Sequence, residues 1–162
     1  MSLTVARLRE VFNYDPETGV LTRRITTSSR ALAGASVGCI QNMGYLSVNL
    51  DGGRYLVHRV IWFYVHGAWP AHQIDHINGV TTDNRLSNLR DVTGSTNQQN
   101  RRHATGRTGL MGAYEVDGMP GRYFSAINID HKQKHLGRFD SAEAAHAAYL
   151  AAKRLHHEGC TI

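Results

Sequence analysis

The run from Gln73 to His103 constrains this chain more than any other part of it. Gln73-Ile74-Asp75-His76-Ile77 predicts a short strand. Asn78 to Leu89 (NGVTTDNRLSNL) is a polar loop, and Arg90 to Thr93 (RDVT) predicts a second strand. The following GSTNQQNRRH opens a helix, with Thr93 or Ser95 placed to cap its first turn. Strand, long loop, strand and helix in so short a span leave room for one compact unit.

Phosphodiester hydrolysis needs a base for water, a divalent cation to neutralise developing charge, and a rigid frame for both. Adjacent Asp75 and His76 on a strand point to opposite faces, so one can hold a metal while the other reaches a water. A helix beside the strand can add an oxygen ligand, and Asn97 is placed to do so. Hard oxygen donors with open water positions suit Mg²⁺ or Mn²⁺.

Composition narrows the partner. Lys and Arg number 18 against 13 Asp and Glu, a formal net charge of +5, and the sequence pI is about 9.5. Such a surface draws phosphate polyanions, so nucleic acid is the first partner to consider. An acidic membrane surface is disfavoured, because no Lys/Arg-rich amphipathic helix is present to dock on one. Nor does any run approach the roughly 18 apolar residues of a membrane span. The first residues, MSLTVARLREVF, lack an apolar signal core and predict a short amphipathic helix, so an intracellular, cytoplasmic location is expected. Cys39 and Cys160 are the only cysteines. They cannot form a paired-cysteine zinc site, and any metal must be held by Asp, Asn or His.

Three stretches differ in texture. Residues 1–57 predict a helix from Leu3 to Phe12, a turn at Asp15-Pro16 and Gly19, and a hairpin through GYLSVNLDGGRYLV. Residues 58–104 begin with HRVIWFYVHG, a buried helix stopped by Gly67, and carry the chemical string. His58 is expected to pack beneath it as a structural residue. Residues 105–162 open on a Gly/Thr linker (105–109) and predict strands at Gly112–Val116, Tyr123–Ile129 and Lys134–Phe139. A helix from Ser141 to His157 closes the chain, with a stop at Gly159 and an alanine-rich face on the sheet. There is no internal repeat or low-complexity tract.

From Val57-His58-Arg59 through DHINGVTTDNRLSNLR to STNQQN, the chain resembles the phage and intron-encoded branch of the HNH endonucleases. The resemblance implies Asp75 as a metal ligand, His76 as general base and Asn97 as the second ligand. It implies Asn88 as the central Asn that braces the loop, with Asn84 a candidate for the same role. The third motif letter is Asn here, where many relatives carry His. The C-terminal stretch is similar to the Apetala-type (ethylene-response-factor-like) DNA-binding domain, whose three-stranded sheet lies in the major groove. Carrying that similarity are GLMGAY, the strand from Tyr123 to Ile129, KQKHLGRFDS and the helix from Glu143. Tyr123, Ser125 and His131 depart from it, standing where Trp, Ala and Gly are usual.

Together these readings predict an α+β chain. A ββα-metal nuclease core with an N-terminal β-rich extension is linked to a three-stranded antiparallel sheet plus one helix. The expected partner is double-stranded DNA, gripped by Arg101, Arg102, Tyr114, Arg122, Phe124, Asn128, Lys132, Lys134 and Arg138. The expected activity is site-preferring nicking or cutting of the homing type by a phage- or mobile-element-encoded enzyme. A monomer would nick and a homodimer would cut both strands. A phage packaging or restriction nuclease, and a non-catalytic DNA-binding regulator on the same scaffold, remain as rivals.

Overall fold

The computed structural model describes residues 3–104, 106–130 and 132–162. Thr105 of the linker and His131 of the C-terminal hairpin lie outside them. The described residues form a mixed α+β protein of small antiparallel sheets and four α-helices in two compact units, one ending at Gly94 and one spanning Ser95–Ile162.

The first unit opens with α1 (Val5–Val11), capped by the Thr4 hydroxyl, which accepts from Arg7 N at 3.2 Å. The hairpin of β1 (Phe12–Asp15) and β2 (Val20–Arg23) follows, pairing Phe12 with Arg23 and Asp15 with Val20. A three-stranded sheet joins β3 (Cys39–Ile40), β4 (Leu46–Leu50) and β5 (Gly53–Leu56) in chain order. Asp51 and Gly52, both at positive φ (46° and 81°), make the tight β4–β5 turn that the Asp-Gly-Gly signal predicts. Chain direction then switches directly into α2 (Val57–His66). Gly67 at φ 77° ends this helix in the left-handed conformation. Its Val57, Val60 and Ile61 join Leu8, Val11, Phe12, Leu21, Val48, Ile74 and Leu89 in one core. Each large aliphatic side chain buried there contributes about 1.5–3 kcal/mol.

Against this core stands the strand pair β6 (Gln73–His76) and β7 (Leu89–Val92), antiparallel, with Asp75 opposite Arg90 and His76 opposite Leu89. A single 3₁₀ turn at Leu86–Asn88 leads into β7. The chain continues into α3 (Gly94–Gln99).

The second unit holds an antiparallel sheet in the order β10 (Lys132–Phe139), β9 (Tyr123–Ile129), β8 (Ala113–Glu115), packed against α4 (Ala142–His156). Ser141 caps α4, its hydroxyl accepting from Ala144 N at 3.1 Å. Ala113, Ser125 and Ile127 share one face by register and are buried. Approach of the helix is close enough that a Cβ on Gly112 would fall 2.0 Å from the Tyr149 ring.

Three expectations need correction. Strand β10 starts at Lys132, two residues before the predicted Lys134. The last helix ends at His156, its cap His157 already extended, so Gly159 does not stop it. Instead Gly159 packs on α3, donating its N–H to the Gln99 side chain at 3.0 Å. The alanine-rich face is also narrower than expected: Ala145 is buried, but Ala144, Ala147 and Ala151 are exposed. Helical periodicity puts Lys153 on the inner side with Ala145 and Tyr149, and it is 1% exposed.

Candidate active site and nucleic-acid face

Asp75 and His76 are both buried on β6. Arg90, directly across the ladder, donates to Asp75 Oδ2 from Nε at 2.9 Å and from its terminal nitrogen at 2.7 Å. A planar guanidinium on one carboxylate oxygen fixes the orientation of the acid and compensates a charge that would be costly to bury alone.

The His76 imidazole meets a different partner, with Nε2 lying 3.0 Å from Asn84 Oδ1. A carbonyl oxygen only accepts, so in this contact Nε2 is the donor. Asn84 is itself 2% exposed and held by the N-terminal hairpin. The Tyr14 hydroxyl donates to its carbonyl at 2.9 Å. Gly19, at φ 73°, lies so near that a Cβ there would sit 2.6 Å from Asn84 C and 2.4 Å from Arg85 N.

The ring of His76 rests on aromatic neighbours. His58 of α2 stands edge-on to it at 5.1 Å between centroids, and Tyr45 tilts against both rings at 5.2 and 5.9 Å. Burial, with the nearby His76 and Arg59, holds the His58 imidazole down to about 3. His58 is therefore a neutral ring at physiological pH, and its buried Nδ1 has no hydrogen-bond partner among the described residues.

Asn88 organises the loop. Its Oδ1 accepts from Asn78 N at 2.9 Å, and its Nδ2 donates to the Asp83 carbonyl at 2.8 Å and to Asn78 Oδ1 at 3.0 Å. Asp83 takes a bond from Asn78 Nδ2 at 2.7 Å and pairs with Arg85 at 2.6 Å. The Arg85 side-chain bond is the main reason the Asp83 carboxyl is held down to about 2. One Asn braces the loop and the other touches the imidazole, a division invisible in the sequence because both contacts are non-local.

Asn97 lies on α3, in the second unit. No three His, Cys, Asp or Glu side chains converge on a common point among the described residues. The donor type in the first unit is nonetheless a hard, rigidly held carboxylate oxygen, the kind Mg²⁺ and Mn²⁺ take.

In the second unit the DNA-binding candidates divide. Tyr114, Phe124 and Arg138 occupy one register level across the three strands, and Asn128 lies further along the same face of β9. Phe124 is half-buried; the other three are exposed. Lys132 and Lys134 are exposed on the edge strand, paired in register with Ile129 and Ile127. Arg122 forms an ion pair with Asp140, which offsets its charge. Arg101 is exposed, and its carbonyl accepts from the buried Lys153 at 2.7 Å. Arg102 is turned inward, donating to the Thr161 hydroxyl at 2.6 Å and carbonyl at 3.2 Å. Two residues of the exposed face, Gln133 and His135, lie outside the predicted set. Both stand in register with predicted-face positions, Gln133 with Asn128 and His135 with Ala126. Strand alternation through β10 is the signal that finds them.

Residues 55–99 match a family model described as HNH endonuclease. The match covers α2, β6, the braced loop, β7 and α3. No curated protein matches the chain. A solved structure titled for DNA binding and cleavage by the HNH homing endonuclease I-HmuI is similar at 20% identity and a TM-score of 0.44, covering 98% of this chain and 95% of that one. No helix among the described residues is long and apolar enough to cross a membrane.

Proposed function

We propose that this chain is a divalent-metal-dependent DNA endonuclease of the homing type, hydrolysing phosphodiester bonds at preferred sites. The observation that carries this reading is the pairing on β6, inside the HNH-matching stretch. A buried carboxylate fixed by Arg90 stands next to an imidazole whose Nε2 is held by Asn84.

Asp75 is the metal ligand of the first unit. Asn97 is the second ligand on the strength of the motif alone. When bound, Mg²⁺ or Mn²⁺ supplies charge neutralisation at the scissile phosphate and the leaving oxygen. His76 is the general base: with its proton on Nε2, the Nδ1 lone pair takes a proton from water. Asn84 receives the Nε2–H bond as the ring gains charge. Asn88 keeps the loop from collapsing onto the strand pair. The second unit grips double-stranded DNA through its sheet, as the Apetala-type resemblance implies. Its exposed side chains read the duplex while Lys132, Lys134 and Arg101 meet phosphates.

A supercoiled-plasmid assay tests this. Nicking or linearisation in Mg²⁺ or Mn²⁺, abolished by EDTA and reduced about 10²- to 10⁴-fold by His76→Ala with binding retained, is the expected result. Nicked product shows cutting of one strand; linear product shows cutting of both. Cleavage by the variant equal to that of the unaltered chain would remove His76 as the base.

One observation favours a second reading. Arg90 compensates the charge of the Asp75 carboxylate from across the ladder, as a non-catalytic DNA-binding regulator on this scaffold would require. Gel-shift binding unaffected by EDTA, with no cleavage of any DNA that is bound, selects that alternative.

A further inference from the structure

The exposed face of the C-terminal sheet carries a row of stacked rings. Tyr114 and Phe124 stack at 5.2 Å between centroids with 26° between planes; Phe124 and His135 stack at 5.9 Å with 13°. Tyr114 is 42% exposed, an unusual state for a large ring that serves only the core. Arg138 stands beside Phe124 in register, and the exposed amides Asn128 and Gln133 face each other across the same ladder.

The geometry of the row decides what it can touch. A platform for unpaired bases offers open ring faces. Here Phe124 is stacked by Tyr114 from β8 and by His135 from β10, so the central ring of the row has its faces engaged and offers a ligand its rim. Apolar rims match the thymine C5-methyl group, which projects into the major groove of B-DNA. Primary amides match the N6 and N7 edge of adenine, the partner of thymine. Phe124 and Asn128 are four residues apart on one strand, about 13 Å, or about four base-pair steps at 3.4 Å each. Arg138 on this face, with Lys132 and Lys134 exposed on the same edge strand, puts positive charge along one margin of it, where a phosphate backbone would lie.

We infer that this face is a specificity-determining surface for A·T base pairs in the major groove of duplex DNA. The Tyr114–Phe124–His135 row reads thymine methyl groups, and the Asn128–Gln133 pair reads adenine. This inference rests on the proposal that the sheet grips DNA.

The test uses the full chain in EDTA, so that binding is read without cleavage. A pool of random-sequence duplexes is selected on the protein. The recovered site is then resynthesised with deoxyuridine for each thymidine, which removes only the methyl group. Expected are A·T pairs enriched at positions about four steps apart, and affinity falling about fourfold for each contacted methyl removed. Phe124→Ala should abolish that sensitivity; Tyr114→Ser, on the exposed edge strand, should reduce it if the first variant fails to fold. Asn128→Ala should lose the adenine preference and keep the methyl sensitivity. Unchanged affinity for the deoxyuridine duplex, or a single-stranded competitor that outbinds the duplex, overturns the inference while leaving the nuclease proposal standing. Absence of any duplex binding removes the underlying grip and the inference together.

Discussion

A general base is useful only if one nitrogen is protonated and the other is not, and at His76, the proposed base, the partner of Nε2 is a neutral amide. Asn84 Oδ1 accepts from Nε2 without adding charge, so the ring is oriented by a neutral partner. Asn84→Ala removes the acceptor and lets the ring rotate and change tautomer. Nicking should fall about 10- to 100-fold, the usual cost of losing the outer partner of a functional imidazole, while DNA binding persists. Asn84→Asp makes the opposite point: a carboxylate at that position favours the protonated ring. The acidic limb of the pH–rate profile should then move to higher pH, and an unmoved limb would argue that Asn84 does not govern His76. The neighbouring His58 has a different titration. Its folded-state value, about 3, lies below the ordinary histidine value, so the unfolded chain takes up a proton that the folded chain refuses. That contribution to stability is present in full above about pH 6.5. It is lost as pH falls toward 3, at about 1 kcal/mol per pH unit. Urea unfolding at stepped pH should show this slope in the unaltered chain and a shallower one in His58→Phe, which keeps a ring without the titration.

The β1–β2 hairpin bears on the active site without containing any of its chemistry. Its turn residue Gly19 lies against the backbone of Asn84 and Arg85, and its Tyr14 hydroxyl holds the Asn84 carbonyl. Gly19→Ala faces two penalties: a positive φ costing about 1–2 kcal/mol for a residue with a Cβ, and a clash with backbone that cannot swing aside. The expected result is a lower melting temperature together with a loss of nicking larger than the unfolded fraction explains, because the displaced segment carries Asn84. Tyr14→Phe, which removes only the hydroxyl and its bond, should cost about 1 kcal/mol and a smaller part of the activity. A wild-type rate in folded Gly19→Ala protein would refute this coupling. Such couplings also mark where sequence reading stops. Helix α2 with its Gly67 stop, the Asp-Gly-Gly turn and the Asp75–His76 strand were legible because each has a local signature. The two-residue β3, exposed throughout, has no alternation to reveal it. Nothing in the sequence singles out Lys153, since a lysine is rarely buried, yet its ammonium closes on the Arg101 carbonyl. Asn84 and Asn88 could not be told apart, since what separates them is a partner 8 residues away on one side and a loop brace on the other.

At the scale of the whole chain, a net charge of +5 and the proposed base-reading face would make separable demands on DNA binding. Charge acts through counterion release: the logarithm of affinity falls with the logarithm of salt in proportion to the phosphates neutralised, about 0.9 per contact on B-DNA. Ring rims and amides act on base edges, so they set which site is bound and leave that slope alone. Lys132 and Lys134, both exposed on the edge strand, belong to the first class. Replacing both with Ala should weaken binding to every duplex alike and flatten the salt slope by about two contacts' worth, roughly 1.8. Arg122 should contribute less than either, because Asp140 already takes up its charge. Phe124→Ala should lower affinity for the preferred site toward that for random DNA while the slope stays put. Titrations of the three variants against one preferred and one scrambled duplex, each at several salt concentrations, separate the two effects. A double-lysine variant with the original slope would place the phosphate contacts elsewhere, and a Phe124 variant with a reduced slope would mean that the rings anchor the backbone rather than read the bases.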